Sequence, residues 1–261
     1  MKRIHKLMEM NPNIIIAPVY GIGGRSFFPP TFSKYGTERL IDFMFYRDKT
    51  IYNINSKINS IMESRLRRVE IGELNKLLKE NDMNLYVDCT PLGYLNQDIS
   101  ILNWYVNRGK CLNFDFLIFN KYDLYIKGLI NDVYGKYTKF DAAFNRYEKI
   151  HNESQWSWVR LPFTGKNSVK NWLKRKKLNP TLFKGFFPGF IISKKVLEKI
   201  SKIELPFGYC ELRLPSVITG LGFSCSCLDF PMVQLNKKWD ISEIKKESKI
   251  GIYHPVYNDL Q

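Results

Sequence analysis

Apolar residues along this chain fall into short continuous runs separated by longer stretches of helical periodicity. Residues 13–20 (Asn-Ile-Ile-Ile-Ala-Pro-Val-Tyr) form one such run and lead into Gly21-Ile-Gly-Gly-Arg25. Runs bounded by turn residues predict buried strands. A second run is 84–88 (Asn-Leu-Tyr-Val-Asp), closed by Thr90-Pro91-Leu-Gly93, and a third is 114–119 (Phe-Asp-Phe-Leu-Ile-Phe). Between them, 38–48 and 54–80 carry apolar positions at helical spacing, with Gly72 dividing the longer segment. Residues 98–106 predict a short helix with Asp98 as its N-cap. Alternating strands and helices predict a mostly parallel sheet covered on both faces, with ligands outside the carboxyl ends of the strands. Tyr20-Gly21 and Lys121–Asp123 fall at such ends.

The second half differs. Residues 147–158 and 172–189 are rich in aromatics, Lys, Gly and Pro, which predicts loops. Residues 190–203 predict a helix with Ser193 at its beginning and Val196, Leu197 and Ile200 on one face, and 211–219 predict another. There is no internal repeat and no low-complexity linker. The chain is expected to form a single domain over 1–261, with a nucleotide-sugar-binding half at about 13–125 and an acceptor-binding half at about 126–261.

Composition narrows the classes. With 261 residues, 44% hydrophobic and 15% aromatic, the chain supports a sizeable core and is not globally disordered. A formal net charge of +15 favours anionic partners: nucleotide phosphates, acidic headgroups or nucleic acid. The five cysteines are odd in number and scattered, which excludes a disulfide framework, and Cys225-Ser-Cys227 is too tight for a structural zinc site. A soluble protein of a reducing, cytoplasmic compartment is expected, without a transmembrane segment but with peripheral membrane contact open.

Several short motifs carry chemistry. They are Asp98-Ile-Ser-Ile-Leu-Asn-Trp104, Phe114–Phe119 followed by Tyr122-Asp123-Leu-Tyr, Trp156-Ser-Trp158, Gly185-Phe-Phe-Pro-Gly189, Glu211-Leu-Arg-Leu-Pro-Ser216 and Tyr253-His-Pro255. Together, over about residues 84 to 256, they resemble the GT-A glycosyltransferases of the nucleotide-diphosphosugar transferase superfamily. The resemblance implies a three-layer α/β/α sandwich with a mostly parallel central sheet. It also implies transfer of a sugar from a nucleotide-diphosphate donor (a UDP or GDP sugar) to a glycan acceptor.

Carried over residue by residue, the resemblance places Asp123 at the donor diphosphate. A divalent cation, Mn2+ or Mg2+, would be held by Asp123 and His254. Lys121 stands where the family has its first acid, and an ammonium repels a cation, so Lys121 either leaves a metal with fewer ligands or itself neutralises the diphosphate. Glu211 is the candidate general base of an inverting transfer, with Asp229 and Glu153 in reserve. Alternatively, Glu211 pairs with Arg213 or caps its helix, and Asp123 is a strand-end turn residue. Pro18, Tyr20, Gly21, Arg25, Asp88, Tyr94, Lys121 and Tyr122 are the expected donor-binding residues. Trp156, Trp158, Gly189 and Arg213 are the expected acceptor-binding residues, the tryptophans as stacking faces for sugar or as core anchors. Lys166, Lys170 and Lys174–Lys177 either attract anions or form a solvated helix face. Two alternatives stay open: a sugar-nucleotide pyrophosphorylase, from the Gly-rich turn at 21–25, and a non-enzymatic nucleic-acid-binding protein, although no nucleic-acid motif is present.

Overall fold

In a computed structural model, the described residues are 10–11, 19–21, 76, 79, 86–88, 96–120, 124–151, 156, 165–230, 233 and 238–257. The chain divides into two compact units, one of Met1 with Ile15–Cys111 and one of Lys2–Ile14 with Leu112–Gln261.

In the first unit, β1 (Val19–Gly21) and β2 (Tyr86–Asp88) pair in parallel, with Gly21 opposite Asp88. Lys76 and Lys79 are helical and exposed. Helix α1 (Gln97–Asn107) follows. Its N-cap is Asn96, so the expected cap Asp98 lies inside the first turn, where its carboxylate accepts the Ile99 N–H at 2.9 Å. An acid in that turn still complements the helix dipole. Ile101, Trp104 and Tyr105 turn the buried face of α1 inward. The predicted helices at 38–48 and across most of 54–80 lie outside the described residues.

The second unit is built on β3 (Phe116–Ile118), β4 (Tyr125–Lys127), α2 (Ile130–Tyr134), β5 (Ala142–Lys149), α3 (Lys166–Arg175), β6 (Phe183–Ser193), α4 (Lys194–Ile200), α5 (Cys210–Gly220), β7 (Cys225–Leu228), β8 (Trp239–Asp240), α6 (Ile241–Lys246), β9 (Gly251–Tyr253) and β10 (Val256–Tyr257). The main sheet runs in the order β3-β6-β5-β7. β6 is antiparallel to both its neighbours, and only β5 and β7 are parallel. β4 and β9 form a separate antiparallel pair, and β8 and β10 a short parallel one.

This topology overturns the expected three-layer sandwich with a mostly parallel central sheet. The expectation fails at two segments. Residues 183–189 are Gly- and Pro-rich yet form the first part of the eleven-residue strand β6, and 190–193, within the segment expected as helix, complete it before α4 starts. Ser193 holds the boundary, its Oγ accepting the Val196 N–H. β6 is buried nearly end to end, with Phe187, Phe190, Ile191 and Ile192 in the core. The Phe144 ring of β5 stacks on Phe187 and Phe190, with centroids 6.2 and 5.2 Å apart, and fastens β6 to β5.

Between β5 and β6 the register breaks. Ala143 faces Ile191 and Asn145 faces Phe186, so one residue of β5 spans the four residues 187–190 of β6. Pro188 has no N–H for a ladder bond, and Gly189 takes φ +72°, a left-handed value that other residues avoid. The pair therefore forces a bulge in the most buried strand of the sheet. A second shift follows between Asn145 and Glu148, at Arg146, whose φ is +52°.

At the other end of the sheet, Asp141 ties β5 to β7. Its Oδ2 accepts both the N–H and the hydroxyl of Ser224, each at 2.8 Å, and Lys195 lies 3.7 Å away. Partial burial pushes this carboxyl up, but the two Ser224 bonds and the Lys195 charge outweigh it and hold it below the ordinary range. A depressed folded-state value stabilises the protein at neutral pH, and that contribution is lost as pH falls through it. Ser224→Ala is expected to raise the Asp141 carboxyl toward its ordinary value and to lower the urea midpoint at neutral pH. The gap from the parent should narrow once the pH is low enough to protonate Asp141 in both, leaving only the loss of the Asp141 N–H bond to Ser224 Oγ. A gap independent of pH would contradict this. Among the described residues no helix is long and apolar enough to cross a membrane.

Candidate functional site

The β6 bulge is held from four sides. From α5, Glu211 in the first helical turn accepts the Phe187 N–H on Oε1 at 3.1 Å. Across the sheet, the buried Asn145 donates from Nδ2 to the Pro188 carbonyl, while its Oδ1 is buried with no hydrogen-bond partner among the described residues. Tyr134, at the end of α2, donates its hydroxyl to the Gly189 carbonyl at 3.0 Å. Burial, with Tyr137 nearby, pushes the Tyr134 phenol far above its ordinary value, so it stays protonated and donating. The edge strand β3 continues past the bulge: Gly189 N–H donates to the Phe119 carbonyl and Phe119 N–H to Phe190, both at 2.9 Å.

The β4–β9 pair approaches the same bulge. A Cβ on Gly189 would lie 2.6 Å from Ile252 Cδ1 and 3.2 Å from Leu124 Cδ1. Tyr125 faces Tyr253 in an antiparallel register, so Leu124 and His254 flank that pair at one end. His254 is buried, sits edge-on to Phe186 with ring centroids 5.8 Å apart, and bridges to Val233. The pair is anchored from behind by Lys127, whose ammonium donates to the Ile244 and Glu247 carbonyls at the end of α6. A cation there complements the negative end of the helix dipole.

Glu211 owes its place to α5. Pro215, four residues on, has no N–H to give the Glu211 carbonyl, and its ring packs on Gly185 of β6, where a Cβ would meet Pro215 Cγ at 3.0 Å. The helix axis is thus pressed on β6, with Glu211 reaching the bulge. A carboxylate in the first turn is favoured by the helix dipole. Tyr209 is the N-cap of α5, and the Trp156 ring lies against it with centroids 6.3 Å apart. Lys184 of β6 stands 5.7 Å over the Trp156 ring and pairs with Glu148.

Of the expected site residues, the fold brings Glu211, Gly189 and His254 to one bulge and sets Trp156 beside the start of the same helix. Arg213 is different. It is buried and donates from Nη1 to the Pro206 carbonyl at 3.2 Å, holding the loop that enters α5. Asp229 is exposed, with its backbone N–H on the Tyr137 hydroxyl, and lines a recess with Asp132, Lys136 and Lys249. Tyr20, Gly21 and Asp88 lie on the paired strands β1 and β2 of the first unit. Pro18, Arg25, Tyr94, Lys121, Tyr122, Asp123, Glu153 and Trp158 lie outside the described residues.

Among the described residues no three His, Cys, Asp or Glu side chains gather as a metal site would require. His254 alone does not make one, and no step below is routed through a metal. Sequence reasoning missed Asn145 and Tyr134. The signal for Asn145 is a lone amide closing the apolar run Ala142-Ala143-Phe144; Tyr134 has none of comparable strength. The chain matches no protein-family model, no curated protein and no solved structure.

Proposed function

We propose that the chain is a glycosyltransferase that moves a sugar from a nucleoside-diphosphate donor to a glycan acceptor. The observation that carries the proposal is the setting of Glu211. A carboxylate only 5% exposed is held in the first turn of α5 by a backbone N–H, two residues from the Tyr209–Trp156 aromatic pair. A fixed carboxylate in the same helical turn as the residue that holds an aromatic ring suits a sugar hydroxyl, because a ring packs the apolar C–H face while a carboxylate takes the proton. In the transfer, Glu211 accepts the proton of the acceptor hydroxyl as its oxygen attacks the anomeric carbon. The bond from that carbon to the donor phosphate breaks, and the nucleoside diphosphate leaves with the electron pair.

Asn145 and Tyr134 have a positioning role here. By holding the Pro188 and Gly189 carbonyls they fix the backbone from which Glu211 takes its hydrogen bond. Asp123 and Lys121 enter from the sequence alone, at the donor diphosphate, and Mn2+ or Mg2+ enters as a condition to vary.

A thermal-shift screen of UDP and GDP sugars, with and without manganese, tests the proposal. At least one sugar nucleotide at millimolar concentration is expected to raise the melting temperature, since a ligand bound only to the folded state stabilises it according to its occupancy. No shift from any of them would sink the transferase assignment.

A further inference from the structure

Beside the start of α5 lies a recess of about 220 Å³ that has no part in the transfer step above. Lys149 from the end of β5, Lys166 and Lys170 from successive turns of α3, and Thr181 form its rim, over Ile150 and Leu182. The floor is fixed by the Ile150 N–H on the Leu182 carbonyl at 2.9 Å. The volume is below the roughly 300 Å³ at which small-molecule pockets begin, so the recess suits one substituent of a larger ligand.

The chemistry of that substituent follows from charge. None of the three lysines has an acidic partner among the described residues. The nearest acid along β5, Glu148, pairs with Lys184 instead. Residues 154–197 contain ten Lys and Arg and no Asp or Glu. The recess therefore sits in a one-signed field that its own segment does not neutralise. Lysine ammonium groups act as point charges on flexible stems that adjust to a compact polyanion, which favours phosphate.

Position supplies the rest. Gly165, the N-cap of α3, is pressed against the chain entering α5: a Cβ there would lie 2.6 Å from both the Phe207 carbonyl and the Gly208 Cα. The next residue is Tyr209, which carries Trp156. The recess and the Trp156 ring are thus linked through the contact of Gly165 with the chain that leads into Tyr209.

We propose that the Lys149–Lys166–Lys170 recess binds a phosphate group carried by the acceptor, so that the acceptor is an anionic, phosphorylated glycan. The acceptor part rests on the transferase proposal; the phosphate site does not. Calorimetric titration of the full chain with glucose 6-phosphate, against glucose as control, tests both. Saturable binding of the phosphate sugar and none of glucose is expected. Lys166→Gln with Lys170→Gln should weaken it about tenfold, whereas Lys174→Gln with Lys177→Gln, the same charge loss outside the recess, should change it less than about twofold. Stabilisation by the donor should be unchanged in the recess variant.

Equal loss in both pairs would mean a diffuse field and overturn the site. Loss of donor stabilisation in the recess variant would make it the donor's diphosphate site and overturn the acceptor assignment, as would a single-stranded oligonucleotide competing for the recess and binding far more tightly. Phosphate binding without any donor binding retires the transferase proposal and keeps the site; donor binding without phosphate binding does the reverse.

Discussion

Glu211→Gln is expected to cut sugar transfer by about 10²–10⁴-fold while the protein stays folded, the loss typical of removing a general base. Glutamine keeps the length of the side chain and an oxygen that accepts the Phe187 N–H, now held at 3.1 Å by the carboxylate. It lacks the negative charge and the capacity to take a proton. A hydrogen bond to a charged acceptor is worth about 1 kcal/mol more than one to a neutral amide, so a small drop in stability accompanies the loss of activity. The contrast separates the chemical role from the structural one. If Glu211 only clamped the bulge, the glutamine variant would retain most of its turnover. Comparing turnover with the unfolding midpoint in the same preparation decides between them.

The largest expected stability effect is at Gly189. Gly189→Ala puts a Cβ on a residue with φ +72° and drives it to 2.6 Å from Ile252 Cδ1 and 3.1 Å from the Tyr134 hydroxyl. The left-handed backbone costs an L-residue about 1–2 kcal/mol. The overlap adds about 1–3 kcal/mol, less where the end of the Ile252 side chain gives way. A loss of about 2–4 kcal/mol in urea unfolding is expected, with activity falling as well, because the methyl presses on the hydroxyl that holds the Gly189 carbonyl. A change of less than about 0.5 kcal/mol, the range of ordinary surface substitutions, would contradict this account of the bulge.

The parts of this protein that were legible in the sequence are those where one local signal decides the outcome. Residues 211–219 were readable as a helix, and α5 extends only slightly beyond them. Ser193 was readable as a helix start because a hydroxyl there satisfies an otherwise unpaired N–H. β6 was not readable. Its Pro188 and Gly189 are loop residues by every local criterion, and they are tolerated because Asn145, Tyr134 and Glu211 take up the backbone groups that the broken ladder leaves. Those partners are 24 to 55 residues away. The parallel sheet failed for the same reason. Alternation of strands and helices says which elements exist, but the neighbour of β3 is β6, reached only after β5 and α3, and it arrives antiparallel.

The site shows the same division. Glu211 and Gly189 were marked by their motifs, and the fold brings them together. Arg213 was marked by the same motif, and its Nη1 donates to the Pro206 carbonyl. Type and spacing could not reveal that, because the direction of a buried side chain depends on which loop packs above it. The lysines of α3 were ambiguous between a solvated face and an anion site until β5 and the segment at 180–182 closed a recess around two of them.

The central claim is that this chain binds a nucleotide sugar and transfers its sugar. The most direct measurement is mass spectrometry of a reaction containing UDP and GDP sugars, a phosphorylated and an unphosphorylated glycan acceptor, and either the parent protein or the Glu211→Gln variant. The account predicts nucleoside diphosphate released in step with a glycan heavier by one sugar residue, with the parent protein only. Donor left intact by the parent, or equal product from both proteins, would contradict it.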